Sequence, residues 1–269
     1  MNRVVLLFAS FMMLFSVSLS AKDISAYLVG SHVDVETVKS KLVSAGFEVV
    51  TEYTSIEEGT TVVFTNDALK AEASKPKRAH AAVLRVFVDD KEQMISITNP
   101  VYFGRAFMQD DYNSDVFEAQ LASLNGAFKG LTGSKDLLED DDIAGFHFMM
   151  GMPYYEDPDE LAEASNSDLL AKLRAYNSGK NIIFELKLSD KSTLVGFDLS
   201  AETKGFIKDI GRANASVLPY CISIEDGEAT ALAAKYYLAI AYPLLSMGEF
   251  MTISSVPGEI LDELEKPFK

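Results

Sequence analysis

Tryptophan is absent from this 269-residue chain, cysteine occurs once and histidine three times. Each scarcity removes a class of protein. A single cysteine, Cys221, cannot close an internal disulfide, so the fold relies on its core. Its setting, Tyr220-Cys221-Ile222, reads as strand and makes it a small buried side chain. The other reading is an intermolecular disulfide or a reactive thiol. His32, His80 and His147 lie far apart and match no metal-ligand spacing. Gly-x-Ser-x-Gly, GxGxxG and GxxxxGK[ST] are all missing, which removes the nucleophile elbow and both phosphate-cradling loops. Basic residues are few: 24 Lys and Arg face 40 Asp and Glu, a net charge of −16. Such a chain repels nucleic acid phosphates and anionic membrane surfaces. After residue 21 no apolar run reaches the roughly 20 residues that a bilayer span needs.

What is present begins with an export pattern. Met1-Asn2-Arg3 supplies a basic start, Val4–Val17 an uncharged apolar run, and Ser16, Ser18, Ser20 and Ala21 a zone of small residues. That order predicts a cleavable secretory signal over residues 1–21, cut after Ser20 or Ala21. Loss of Arg3 leaves 23 basic against 40 acidic residues. No cysteine adjoins the cleavage zone, which argues against lipid attachment there.

Beyond the signal, hydrophobic period and turn residues predict an ordered series of elements. Ala26–Val29 reads as a strand, and Asp34 caps a helix that places Val35, Val38, Leu42 and Val43 at helical spacing. Phe47–Tyr53 and Thr60–Thr65 read as strands, and a polar helix follows at Asp67–Ser74. Next come a hairpin (Ala82–Val88, Met94–Thr98), a helix starting near Val101 and another at Val116–Phe128. The same order then returns. Gly145–Met152 reads as a strand, and a helix begins at Asp168. Ile182–Leu188 and Thr193–Leu199 read as strands, Phe206–Ile210 as a short helix, and Val217–Ile224 with Ala229–Ala233 as a second hairpin. An apolar stretch at Lys235–Met251 and a helix near Gly258–Leu264 close the series. A gapless offset of 134 aligns Ala82-Val83-Leu84 with Ser216-Val217-Leu218, and Val101-Tyr102-Phe103 with Lys235-Tyr236-Tyr237. The expected fold is α+β: two similar repeats, each an antiparallel sheet with helices packed on one face. The first repeat covers residues 22–132, an acidic linker 133–143 and the second repeat 144–269. Two such halves pack about a pseudo-twofold axis, as a homodimer does.

The run Thr60-Thr61-Val62-Val63-Phe64, and the hairpin Ala82-Val83-Leu84-Arg85-Val86 leading to Ile97-Thr98-Asn99-Pro100, resemble the domain-of-unknown-function 302 family, present here as a tandem pair. The second copy carries Leu218-Pro219 before its hairpin, and Ala233-Ala234 where the first has Asn99-Pro100. The resemblance implies a small α+β fold with an antiparallel sheet, and a periplasmic location in preference to secretion into the medium. It transfers no catalytic residue.

Three constellations remain. Tyr102-Phe103 and Tyr236-Tyr237 hold equivalent places in the two halves. Their apolar bodies and polar tips suit either an interface between the halves or a ligand pocket at the junction, with Arg85 as an anion anchor. His147-Phe148-Met149-Met150-Gly151-Met152 carries imidazole and thioether groups that suit Cu(I). As a strand it would divide them between two faces, which favours core packing. Met247 and Met251, spaced i,i+4 on a helix face with Leu244, are likewise expected in the core, unless Met150, Met152 and His147 share a metal with them. The acidic runs Leu138–Asp142 and Glu156–Glu160 read as solvated loops. The leading reading is an exported, non-enzymatic binding or accessory protein for a small apolar ligand or an envelope partner. The alternatives are Cu(I) handling, or an enzyme assembled from distant carboxylates and tyrosines. No cofactor is implied.

Overall fold

The computed structural model describes residues 22–269, so the expected signal segment lies outside the described residues. The first half runs β1 (Asp23–Ser25), β2 (Tyr27–Ser31), α1 (Val35–Ser44), β3 (Glu48–Ile56), β4 (Gly59–Thr65), α2 (Asp67–Ala73), β5 (Leu84–Asp89), β6 (Met94–Thr98), α3 (Pro100–Met108) and α4 (Ser114–Ala127). Short pieces follow: β7 (Thr132–Gly133), β8 (Leu137–Glu139) and α5 (Asp140–Ile143). The second half runs β9 (Asp159–Glu163), α6 (Asn166–Ala175), β10 (Ile182–Lys187), β11 (Ser192–Phe197), α7 (Ile207–Ile210), β12 (Tyr220–Glu225), β13 (Glu228–Ala231), α8 (Ala234–Ala241), α9 (Met247–Thr252) and α10 (Val256–Glu265).

Local chemistry sets these elements. Asp34 accepts a hydrogen bond from the Thr37 N–H at 3.0 Å and starts α1, which buries Val38 and Leu42. Ser165 does the same for α6, which buries Leu169 and Leu173. The fold is α+β. Its two large sheets are antiparallel throughout and share one strand order, β3-β4-β5-β6-β2 and β10-β11-β12-β13-β9, with β7 added beyond β2 in the first. A third, two-stranded sheet pairs β1 with β8. Residues 133–143 are therefore docked on the first half, and Arg105 on α3 pairs with Asp140 there.

Ladder register refines the sequence alignment. The offset of 134 holds from β6 and β13 into α3 and α8. Val86, however, faces Ile97 while Ile222 faces Ala231, so β5 answers to β12 at an offset of 136. The connector ahead of β12 is longer by two residues, and its turn, Asp226-Gly227, is shorter by two than Asp90–Gln93. Asp89 thus answers to Glu225, and Arg85 to Cys221.

Gly145–Met152, expected as a strand, forms turns and bends, and the strand that completes the second sheet is β9. The apolar content of that segment has another cause: Phe146, Phe148 and Met152 pack on the core from a loop. The acidic β9, read as the end of a solvated loop and its continuation, is a strand because it covers the edge of β13, with Ala162 opposite Ala229 and Glu163 opposite Glu228.

The halves meet reciprocally. The Tyr102 hydroxyl donates to the Ile240 carbonyl at 2.8 Å, and the Tyr236 hydroxyl donates to the Ala106 carbonyl at 3.2 Å. At the offset of 134 these are one contact made twice, the mark of an isologous interface. Around them Tyr27 stacks on Tyr242, and Phe107 approaches Tyr237 and Tyr155. Buried apolar residues of both halves belong to a single cluster.

Candidate functional site

Two short connectors shape the junction. Arg78-Ala79-His80-Ala81-Ala82-Val83-Leu84 runs into the first residue of β5, and Arg212-Ala213-Asn214-Ala215-Ser216-Val217-Leu218 precedes β12. Five of the seven residues are identical, and each connector folds as a 3-10 turn, Ala79–Ala82 and Arg212–Val217. Each lies across the other half's sheet: the first on β11 and β12, the second on β4, β5 and β6. This repeat is the clearest sequence signal for the site. Its small residues are what allow the turn to lie close against the opposite sheet.

At one end the connector fills its space. The Arg212 guanidinium donates to the buried Asp89 carboxylate, at 2.9 Å from Nη2 and 3.2 Å from Nε, and also to the carbonyls of Glu57 and Glu58 at 3.0 Å. The backbone N–H groups of Lys91 and Glu92 donate to the same carboxylate at 3.1 Å. Burial alone would raise the Asp89 pKa, but Arg212 and these N–H groups hold it below the usual carboxylate range.

At the other end a cavity of about 310 Å³ remains. Its walls come from the first connector (Ala79, His80), from the segment holding Tyr155 and Glu156, and from the second sheet (Glu160, Ser223, Glu225, Glu228). Tyr155 is buried, and its hydroxyl donates to the Lys77 carbonyl at 2.6 Å. Burial, assisted by the nearby Arg85 charge, pushes the His80 pKa down to about 3, so its ring is neutral at physiological pH. Burial raises the Glu225 pKa, opposed by the Lys77 N–H that it accepts.

The residues singled out in the sequence sit elsewhere. Arg85, Tyr102, Phe103, Tyr236 and Tyr237 are all buried in the junction core, and none lines the cavity. Arg85 reaches the Pro219 carbonyl at 3.2 Å and Cys221 Sγ at 3.3 Å. Cys221 is buried and free, and burial raises its thiol pKa despite the Arg85 charge. The methionines expected in the core are at the surface: Met150 is 94% exposed, and Met247 and Met251 are exposed too. Tyr242-Pro243 ends α8, and α9 restarts from the Ser246 capping box with Phe250 as its buried residue, which turns Met247 and Met251 outward. Phe148 stacks on Phe250 at 5.0 Å, so the two methionine segments adjoin. His147 lies 3.4 Å from the Tyr154 hydroxyl, and Met152 is half-buried against the core. Among the described residues no three His, Cys, Asp or Glu side chains converge as metal ligands, and no helix is long and apolar enough to cross a membrane. No family model, curated protein or solved structure matches the chain.

Proposed function

We propose that this chain is an exported, non-enzymatic binding protein that holds a small ligand in the cavity between its two halves. The observation that carries this reading is the construction of the cavity. Both halves contribute walls, a buried Tyr155 ring and the buried Ser223 back it, and the opposite connector seals the equivalent space with Arg212. A concave site at a junction, mostly preformed and edged by a few polar groups, is the usual form of a small-molecule site. Export is supported by the basic, apolar and small-residue order of the first 21 residues.

Cu(I) handling is the second reading, and the contact of Phe148 with Phe250 favours it by joining the segments that bear Met149, Met150, Met247 and Met251. Native mass spectrometry of the exported chain, with elemental analysis, separates the two. The junction reading expects a discrete organic mass that Ser223→Leu, which fills the cavity, removes without lowering the melting temperature. Copper retained in Ser223→Leu but lost in Met150→Leu/Met251→Leu supports the second reading. An organic mass retained in full by Ser223→Leu contradicts the first.

A further inference from the structure

The two ends of the junction are unequally filled. Asp89 and Glu225 hold the same ladder position, each the last residue of the first hairpin strand, opposite Met94 and Glu228 respectively. Asp89 receives the Arg212 guanidinium on both carboxylate oxygens. Glu225 receives only the backbone N–H of Lys77, at 3.1 and 3.2 Å. Arg78, the counterpart of Arg212 in the connector repeat, is held away by Asp111 at 2.9 Å and Glu156 at 3.0 Å. The cavity lies against Glu225, which feels the Arg78 charge but, among the described residues, accepts no hydrogen bond from a guanidinium.

The walls carry the same sign. Glu225 stands directly opposite Glu228, and like charges in that relation destabilise a ladder. Among the described residues neither Glu228 nor Glu160 has an ion-pair partner, whereas Asp226 is paired with Lys191 at 3.0 Å. Ser223 is 4% exposed and lines the cavity. Lys77 is the one ammonium in the wall, and His80 is neutral. The Tyr155 ring in the wall already holds one cation, the Arg78 guanidinium, whose carbon stands 5.6 Å from the ring centroid.

Building on the junction-binding reading, we propose that the cavity recognises a small molecule bearing a guanidinium group, which takes at Glu225 the place that Arg212 takes at Asp89. A planar guanidinium presents parallel N–H donors that match a carboxylate in a forked pair and leaves further donors for Ser223 and Glu160. Its charge relieves the repulsion between Glu225 and Glu228. An ammonium supplies the charge without the fork, so the guanidinium is the better match.

Calorimetric titration of the full chain with n-butylguanidinium chloride, against the neutral isostere N-butylurea, tests the inference. Butylguanidinium is expected to bind, more weakly as salt rises, and butylurea to bind at least about tenfold more weakly, because it lacks the charge-assisted hydrogen bonds. Glu225→Gln is expected to weaken butylguanidinium by about tenfold or more, and Glu118→Gln, on the exposed face of α4, to leave it unchanged. If Glu225→Gln proves less stable than the wild type, Glu160→Gln/Glu228→Gln, at two exposed positions, provides the same readout. Equal binding of the two probes, binding of neither, or unchanged affinity in the glutamate variants overturns the inference. An organic mass held in the cavity while butylguanidinium fails leaves the junction a site for an uncharged ligand. Failure of both removes the binding reading as well.

Discussion

Arg85 and Arg212 are both guanidinium groups at the junction, with opposite consequences. Arg85 is buried, has no ion pair among the described residues and leaves its Nε without a partner. Burying a charge in this way opposes folding, and two contacts to a carbonyl and a thiol offset only part of the penalty. Arg212 instead neutralises Asp89, which is fully buried. Arg85→Met is therefore expected to leave stability unchanged or raised. Arg212→Ala is expected to lower it by about 3 kcal/mol, because a buried carboxylate is left uncompensated. Urea midpoints at neutral pH measure both, and the reverse order would contradict this assignment. The pH dependence follows with the same sign. The Asp89 pKa is depressed in the folded chain, so its stabilisation is full above the ordinary carboxylate range and is lost as pH falls through the folded value. Arg212→Ala should flatten that acid limb.

Elements show where sequence was sufficient and where it was not. The capped helices α1 and α6 follow from Asp34 and from the apolar spacing after Ser165, because each cap and stripe acts within a few residues. The β9 strand could not be read in that way. Its acidic residues carry no apolar alternation, and its strand character comes from the free edge of β13, far away in sequence. The outward turn of Met247 and Met251 depends on the break at Pro243 and on Phe250 taking the buried place. The cavity was less legible still, since it arises from what two nearly identical connectors do differently with Arg78 and Arg212. Gly104 makes the role of context concrete. A Cβ there would lie 2.5 Å from the Phe117 ring of α4, whereas the equivalent position in α8 holds the buried Leu238. Gly104→Ala is expected to destabilise the chain by about 1–3 kcal/mol through overpacking. An unchanged thermal melt would mean that α4 does not pack on α3 as described.

At the scale of the whole molecule, the two sheets and their crossed connectors form one body. The reciprocal Tyr102 and Tyr236 bonds, and the aromatic contacts around them, join the buried apolar residues of both halves in a single cluster. The acidic stretch at 133–143, which reads as a linker in sequence, is held by strand pairing and by the Arg105–Asp140 pair. Every proposal for the junction depends on that unity, because a cavity between two independently moving halves would have no fixed walls. Differential scanning calorimetry of the full chain tests it most directly. One unfolding transition is predicted, with equal calorimetric and van't Hoff enthalpies, and Tyr102→Ala should shift it downward without splitting it. Two separate transitions in the wild type, or a Tyr102→Ala variant in which only one of two transitions moves, would contradict the account.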